Sequence, residues 1–87
     1  MTQLLKIPRI TETFNLNHHV IELGDWEVFQ SYDTIIAVRT PGGIYLDKWK
    51  WDCSRITGKY RNMFLGIDKK ETEARIKDGR FILKELN

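Results

Sequence analysis

The alternation of apolar and polar positions divides the chain into an extended first part and a helical second part. From His18 to Leu23, the apolar residues Val20, Ile21 and Leu23 suffice for a short strand, and Gly24-Asp25 supplies the turn after it. Trp26 and Val28 then flank Glu27 in a second strand-like run to Ser31, with Tyr32-Asp33 as the next turn. The run Thr34-Ile35-Ile36-Ala37-Val38, within Thr34 to Thr40, is β-branched at nearly every position and suits a central strand. Pro41 presets a turn, Gly42 and Gly43 tolerate positive φ, and Ile44 to Trp51 is expected to return antiparallel.

The period changes after Ser54, a suitable N-cap. Ile56, Tyr60, Met63, Phe64 and Ile67 fall on one face of a helix, and that face is expected to be core. Gly66 marks its end, and Asp68 with Glu71 has the spacing of a capping box that opens a second helix to about Lys77, with Gly79 as its stop. Only Thr72, Ala74 and Ile76 give that helix an apolar side, so it is expected at the surface. Phe81-Ile82-Leu83 resumes a strand pattern. The fold class read from these signals is α+β: an antiparallel β-meander of three to four strands, then a two-helix hairpin and a short C-terminal strand. Ile35, Ile36, Val38, Tyr60, Phe64 and Ile76 are the expected core.

Composition supports a single domain over residues 1–87, since 41% hydrophobic and 30% charged residues suit a packed core and not a disordered chain. The lone Cys53 excludes an internal disulfide and fits a reducing cytoplasm, and MTQLLKIPRI is too short and too interrupted for a signal peptide or a membrane span. The expectation is a cytoplasmic protein with no membrane contact, a monomer or a small homo-oligomer. The net charge of +2 conceals an asymmetry: residues 1–46 carry three basic and five acidic residues, residues 47–87 eleven and seven, so the parts are −2 and +4. That basic excess is mild for a dedicated nucleic-acid binder.

The segment from Trp51 to Asn87, WDCSRITGKYRNMFLGIDKKETEARIKDGRFILKELN, resembles the C-terminal part of a family of small uncharacterised proteins of bacteriophages and prophages, through its Tyr-x-x-x-Phe-Leu-Gly helix and final Leu-Asn. The resemblance implies a phage setting and, with it, three roles: gene regulation, takeover of a host machine, or inhibition of host defence. The expected function is a small non-enzymatic binding protein that inhibits or modulates a host protein or nucleoprotein, such as a CRISPR-Cas or other defence nuclease, in the manner of an anti-CRISPR. The alternative is a regulator that binds DNA in helix-turn-helix fashion, or single-stranded nucleic acid.

Two patches carry these readings. Phe64 to Phe81 has the lengths of a helix-turn-helix, with Lys69, Lys70, Glu73 and Lys77 exposed, but two acidic residues near the second helix's start oppose a polyanion, and any packed hairpin looks alike. Arg55 and Lys59 on the first helix join the binding candidates. In Lys48-Trp49-Lys50-Trp51, a strand would set Trp49 and Trp51 on one face, available to stack bases if exposed and otherwise packed on the helices or against Trp26. His18, His19 and Cys53 lack metal-site or nucleophile spacing and read as solvated or capping side chains. Pro41-Gly42-Gly43 has no following helix or P-loop lysine. No catalytic residue, metal or cofactor is assigned.

Overall fold

The structure, a computed structural model, describes residues 8–87. The reading that residues 1–7 belong to neither a signal peptide nor a membrane span lies outside the described residues. The elements are β1 (Arg9–Asn15), β2 (His18–Leu23), β3 (Trp26–Ser31), β4 (Thr34–Thr40), β5 (Gly43–Asp47), α1 (Arg55–Leu65), α2 (Lys69–Lys77) and β6 (Phe81–Lys84). The architecture is α+β, with one sheet whose spatial order follows the chain. Strands β1 to β5 form an antiparallel meander, and β6 joins the far edge parallel to β5 after the two-helix crossover. Among the described residues the sheet has six strands, five of them in the meander, more than the three to four expected of it. The unexpected one is β1, RITETFN, whose only large apolar residues are Ile10 and Phe14. An edge strand needs no continuous apolar run, and irregularities in its pairing with β2 further blur its alternation.

Strand β5 stops at Asp47, short of the expected end at Trp51, because the Asp47 carboxylate turns back on the following chain. Its Oδ2 accepts the N–H groups of Trp49 (3.1 Å) and Lys50 (2.9 Å), and its Oδ1 accepts the Leu86 N–H (2.8 Å) and Asn87 Nδ2 (3.2 Å). Burial works to raise the Asp47 pKa, but the donors from Leu86, Trp49, Asn87 and Lys50 outweigh it and hold the group below the ordinary 3.8.

The helix ends follow local chemistry. Ser54 Oγ accepts the Thr57 N–H at 3.1 Å, Asp68 Oδ1 accepts the Glu71 N–H at 2.8 Å, and Gly66, at φ 75°, closes α1 in the left-handed region. The capping box stays half-made, since the Glu71 carboxylate turns to Arg75 Nε at 2.8 Å.

Both helices cover the same face of the sheet. Phe64 stacks on Phe29 at 5.7 Å between centroids, and Val20, Ile36, Ala37, Leu46 and Phe81 complete the buried cluster. Ile36, Val38 and Phe64 are buried as expected, while Ile35, Tyr60 and Ile76 are half-buried. The expected apolar face of α1 needs correction, because Ile56 and Met63 are 59% and 56% exposed. The helix buries Thr57, Gly58, Arg61 and Phe64 instead, a face turned by roughly 100°, one residue's rotation.

The partners of Thr57 explain the turn. His18 is 2% exposed, and its Nδ1 lies 2.8 Å from Asn15 Oδ1, an oxygen that also accepts the Asn17 N–H at 2.8 Å. That oxygen is therefore an acceptor, Nδ1 carries the proton, and Nε2 is left to accept from a hydroxyl, with Ser31 Oγ at 3.0 Å and Thr57 Oγ1 at 3.3 Å and the two hydroxyls 3.1 Å from each other. His18 is thus a buried network residue and not the solvated or capping histidine expected. Burial, then the charge of His19, lowers its pKa from the ordinary 6.5. The unfolded chain takes up this proton at higher pH than the folded one, so the stability involved is complete above 6.5 and is lost as pH falls through the lower folded-state value. Urea melts from neutral to mildly acidic pH are expected to show a falling midpoint, with the slope flattened in His18→Gln.

Among the described residues, no helix covers the other face of the sheet. Its register sets Ile10, Ile21, Val28, Val38, Tyr45 and Ile82 in one apolar row across all six strands. Val28 and Val38 are buried at its centre, whereas Ile10, Ile82 and the flanking Leu23 and Trp26 are exposed.

Candidate functional site

Cations from both helices meet beside the loop that follows β5. A cleft of about 470 Å³ opens there, lined by Asp52, Arg55, Lys59, Arg61, Asn62 and Lys69, with Ser54 and Gly58. Arg61 organises it. Its side chain is 1% exposed, and Nη1 donates to the Trp51 carbonyl (2.8 Å) and Asp52 Oδ1 (3.2 Å), while Nη2 donates to Asn62 Oδ1 (2.9 Å). The guanidinium also lies 5.1 Å from the centroid of the Trp51 ring. A buried charge is costly unless paired, and Asp52 supplies the countercharge. The second Asp52 oxygen binds Lys69 Nζ at 2.8 Å, so one carboxylate joins the loop to both helices. Burial works to raise the Asp52 pKa, but hydrogen bonds from Lys69 and Arg61 outweigh it and lower the value; the same bond raises the pKa of Lys69. Arg61 Nε, itself buried, is left without a hydrogen-bond partner among the described residues.

Gly58 lies over this guanidinium. A Cβ there would stand 3.7 Å from both Nη atoms, an ordinary contact. Glycine inside a helix costs roughly 0.5 to 1 kcal/mol relative to alanine, so Gly58→Ala is expected to raise stability by up to about 1 kcal/mol, seen as a higher denaturation midpoint.

Arg55 and Lys59 form the rim. Both are exposed, and neither has a carboxylate within ion-pair distance among the described residues. The first turn of α1 holds no acidic residue, so Arg55 opens the helix at the positive end of its dipole with nothing there to offset it.

The sequence-based candidates divide between places. Arg55, Lys59 and Lys69 meet in the cleft, whereas Lys70, Glu73 and Lys77 stand exposed on α2 and do not line it. Lys69 is not the unburdened surface charge expected, since it is tied to Asp52. Trp49 and Trp51 share no strand face, because β5 ends before them. Trp51 is half-buried beneath Arg61; Trp49 is 67% exposed, donates from Nε1 to Glu85 at 3.3 Å, and lines a separate cleft with Asp33 and Lys50. Trp51 packs against the buried cluster and under Arg61 of α1, as expected of it, whereas Trp49 and Trp26 are exposed rather than packed on the helices or on each other.

Asp52, Arg61 and Asn62 were not among the candidates. A single arginine between Tyr60 and Asn62 gives no periodic signal, and its partner Asp52 lies nine residues away across a helix start. The chain Asn15–His18–Ser31 has the connectivity of a nucleophile triad, but Ser31 is buried and its Oγ lies 3.1 Å from Thr57 Oγ1, so it braces α1 against the sheet. Cys53 is exposed. Among the described residues, no three His, Cys, Asp or Glu side chains group as a metal site needs, and no helix is long and apolar enough to cross a membrane.

No curated protein and no solved structure matches the chain. A family model does match over nearly its whole length, from residue 3 to residue 81, and the chain therefore belongs to DUF8033, a family of unknown function.

Proposed function

We propose that this protein is a small non-enzymatic binding protein that occupies a host protein or nucleoprotein, such as a defence nuclease, and modulates it. One observation carries the reading. Arg55, Lys59, Lys70, Glu73 and Lys77 are exposed, and none has an ion-pair partner among the described residues, whereas Arg9, Arg39, Arg75 and Arg80 are all paired within the fold. The helical layer thus presents a mixed-charge surface whose charges the fold itself does not pair, and charge complementarity of that kind selects a partner and speeds association. The resemblance of Trp51 to Asn87 to phage proteins adds support for a host target.

A helix-turn-helix reader would need the first turn of α2 to reach base edges. There Lys69 is held by Asp52, Glu71 by Arg75, and Thr72 is buried, which favours the protein-binding reading. The test is affinity capture from host lysate, with and without nuclease treatment, for the wild type, Lys70→Glu and Glu73→Lys. Both variants are expected to keep their stability within roughly 0.5 kcal/mol and to lose the captured partner, each by disrupting one sign of the surface. Unchanged capture by both variants would move the interface off α2.

A further inference from the structure

Resting on the reading of the helical layer as a binding surface, we propose that the cleft between Asp52, α1 and Lys69 binds a phosphate group, carried by the backbone of a nucleic acid in the bound complex. Four cations, Arg55, Lys59, Arg61 and Lys69, line the cleft against the single carboxylate of Asp52, an excess of three positive charges. Both oxygens of that carboxylate are already engaged, at 3.2 Å by Arg61 and at 2.8 Å by Lys69, so its charge is answered inside the fold. At the rim, Arg55 and Lys59 have no carboxylate partner among the described residues, Lys59 Nζ lying 5.4 Å from the Tyr60 ring, and both stand on a helix end that favours an anion. Arg61 lines the cleft with its side chain almost wholly buried, its Nη atoms held by Trp51, Asp52 and Asn62 and its Nε enclosed without an acceptor among the described residues, so it lends fixed positive charge beneath the exposed guanidinium of Arg55. The donors of an exposed guanidinium suit the oxygens of a phosphate.

The lining also argues for the source. Among the described residues, no aromatic ring lines this cleft to stack a base, and the one aliphatic side chain beside it, Ile56, lines an adjoining hollow with Arg55 and Lys59. The site recognises charge, as contacts to a nucleic-acid backbone do, and leaves sequence unread. Its volume of about 470 Å³ lies within the range of ligand-sized sites.

The test is an NMR titration of the amide resonances of the full chain, with inorganic phosphate in one arm and a short single-stranded oligothymidylate in the other. Arg55→Glu and Lys59→Glu alter exposed side chains without an ion-pair partner among the described residues and should leave the spectrum folded; Lys84→Glu makes the same charge change at an exposed side chain over Tyr45, outside the cleft and the helical layer. Both titrants are expected to shift Ser54 to Asn62 and Lys69, and added salt to weaken oligonucleotide binding. Lys59→Glu should reduce oligonucleotide affinity at least about tenfold, with Lys84→Glu close to the wild type. Shifts outside the cleft only, no binding by either titrant, or equal losses in Lys59→Glu and Lys84→Glu would overturn the proposal. Phosphate binding without oligonucleotide binding would uphold the phosphate site and overturn its nucleic-acid source. A captured host protein lost in the α2 variants, with no phosphate binding, leaves the function reading standing alone; phosphate binding in the cleft with no partner captured does the reverse.

Discussion

Truncating Phe64 to alanine is expected to lower stability by about 3 to 5 kcal/mol. The ring is buried, stacks on Phe29 at 5.7 Å, and lies beneath the Arg39 guanidinium, 4.4 Å from its centroid. Arg39 also donates to the Phe64 carbonyl at 3.1 Å and pairs with Glu27 at 2.8 Å. The substitution therefore opens a cavity where α1 meets β3 and removes the aromatic face from a cation that closes the edge of the core. A domain this short has a total stability near the low end of about 5 to 15 kcal/mol, so the variant should be partly unfolded at ambient temperature. Urea denaturation reads the loss as a lower midpoint, and Phe64→Leu, which refills most of the volume, should recover more than half of it. An unchanged midpoint in Phe64→Ala would mean that α1 does not pack on the sheet through this residue.

Asp47→Ala is expected to cost about 2 to 4 kcal/mol, because the residue is 2% exposed and its carboxylate receives four N–H donors. It holds the C-terminal tail at Leu86 and Asn87 against the turn after β5, and Asn87 in turn donates to the Ile35 carbonyl at 2.9 Å. Asp47→Asn should not rescue the loss. Each oxygen faces two donors, so whichever way the amide turns, its NH2 group meets two other N–H groups. The folded-state pKa is lowered, so this contribution is present in full above 3.8 and disappears as pH falls through the lower folded-state value. Acid titration of the wild type should therefore release the tail at strongly acidic pH, followed by the fluorescence of Trp49, which touches Glu85 of the same tail.

The two substitutions also separate what kind of information each element rests on. The turns at Gly24-Asp25 and Tyr32-Asp33, the caps at Ser54 and Asp68, and the stop at Gly66 were legible in the sequence because each is decided within a few residues. A positive φ, a hydroxyl or carboxylate over the next N–H, or the absence of a Cβ leaves its mark at a fixed short spacing. A local signal was also there at Asp47, whose side chain caps the N–H groups two and three residues on as an Asx turn does, and it would have ended β5 before the tryptophans.

The face on which α1 packs, and the cleft that results, were decided only by tertiary structure. The apolar stripe of Ile56, Tyr60, Met63, Phe64 and Ile67 is a sound local pattern, but the helix turned toward Thr57 and Arg61 because distant polar groups satisfy them: His18 and Ser31 across the sheet for Thr57, the Trp51 carbonyl and Asp52 for Arg61. Such partners leave no periodicity, since a buried hydrogen bond needs a donor and an acceptor at the right distance in space, at whatever separation along the chain. Lys69 meets Asp52 for the same reason. By itself, the sequence determined an α+β chain with these turns, caps and a basic C-terminal part; the pairing of polar groups across the fold decided which of those charges stand together and free.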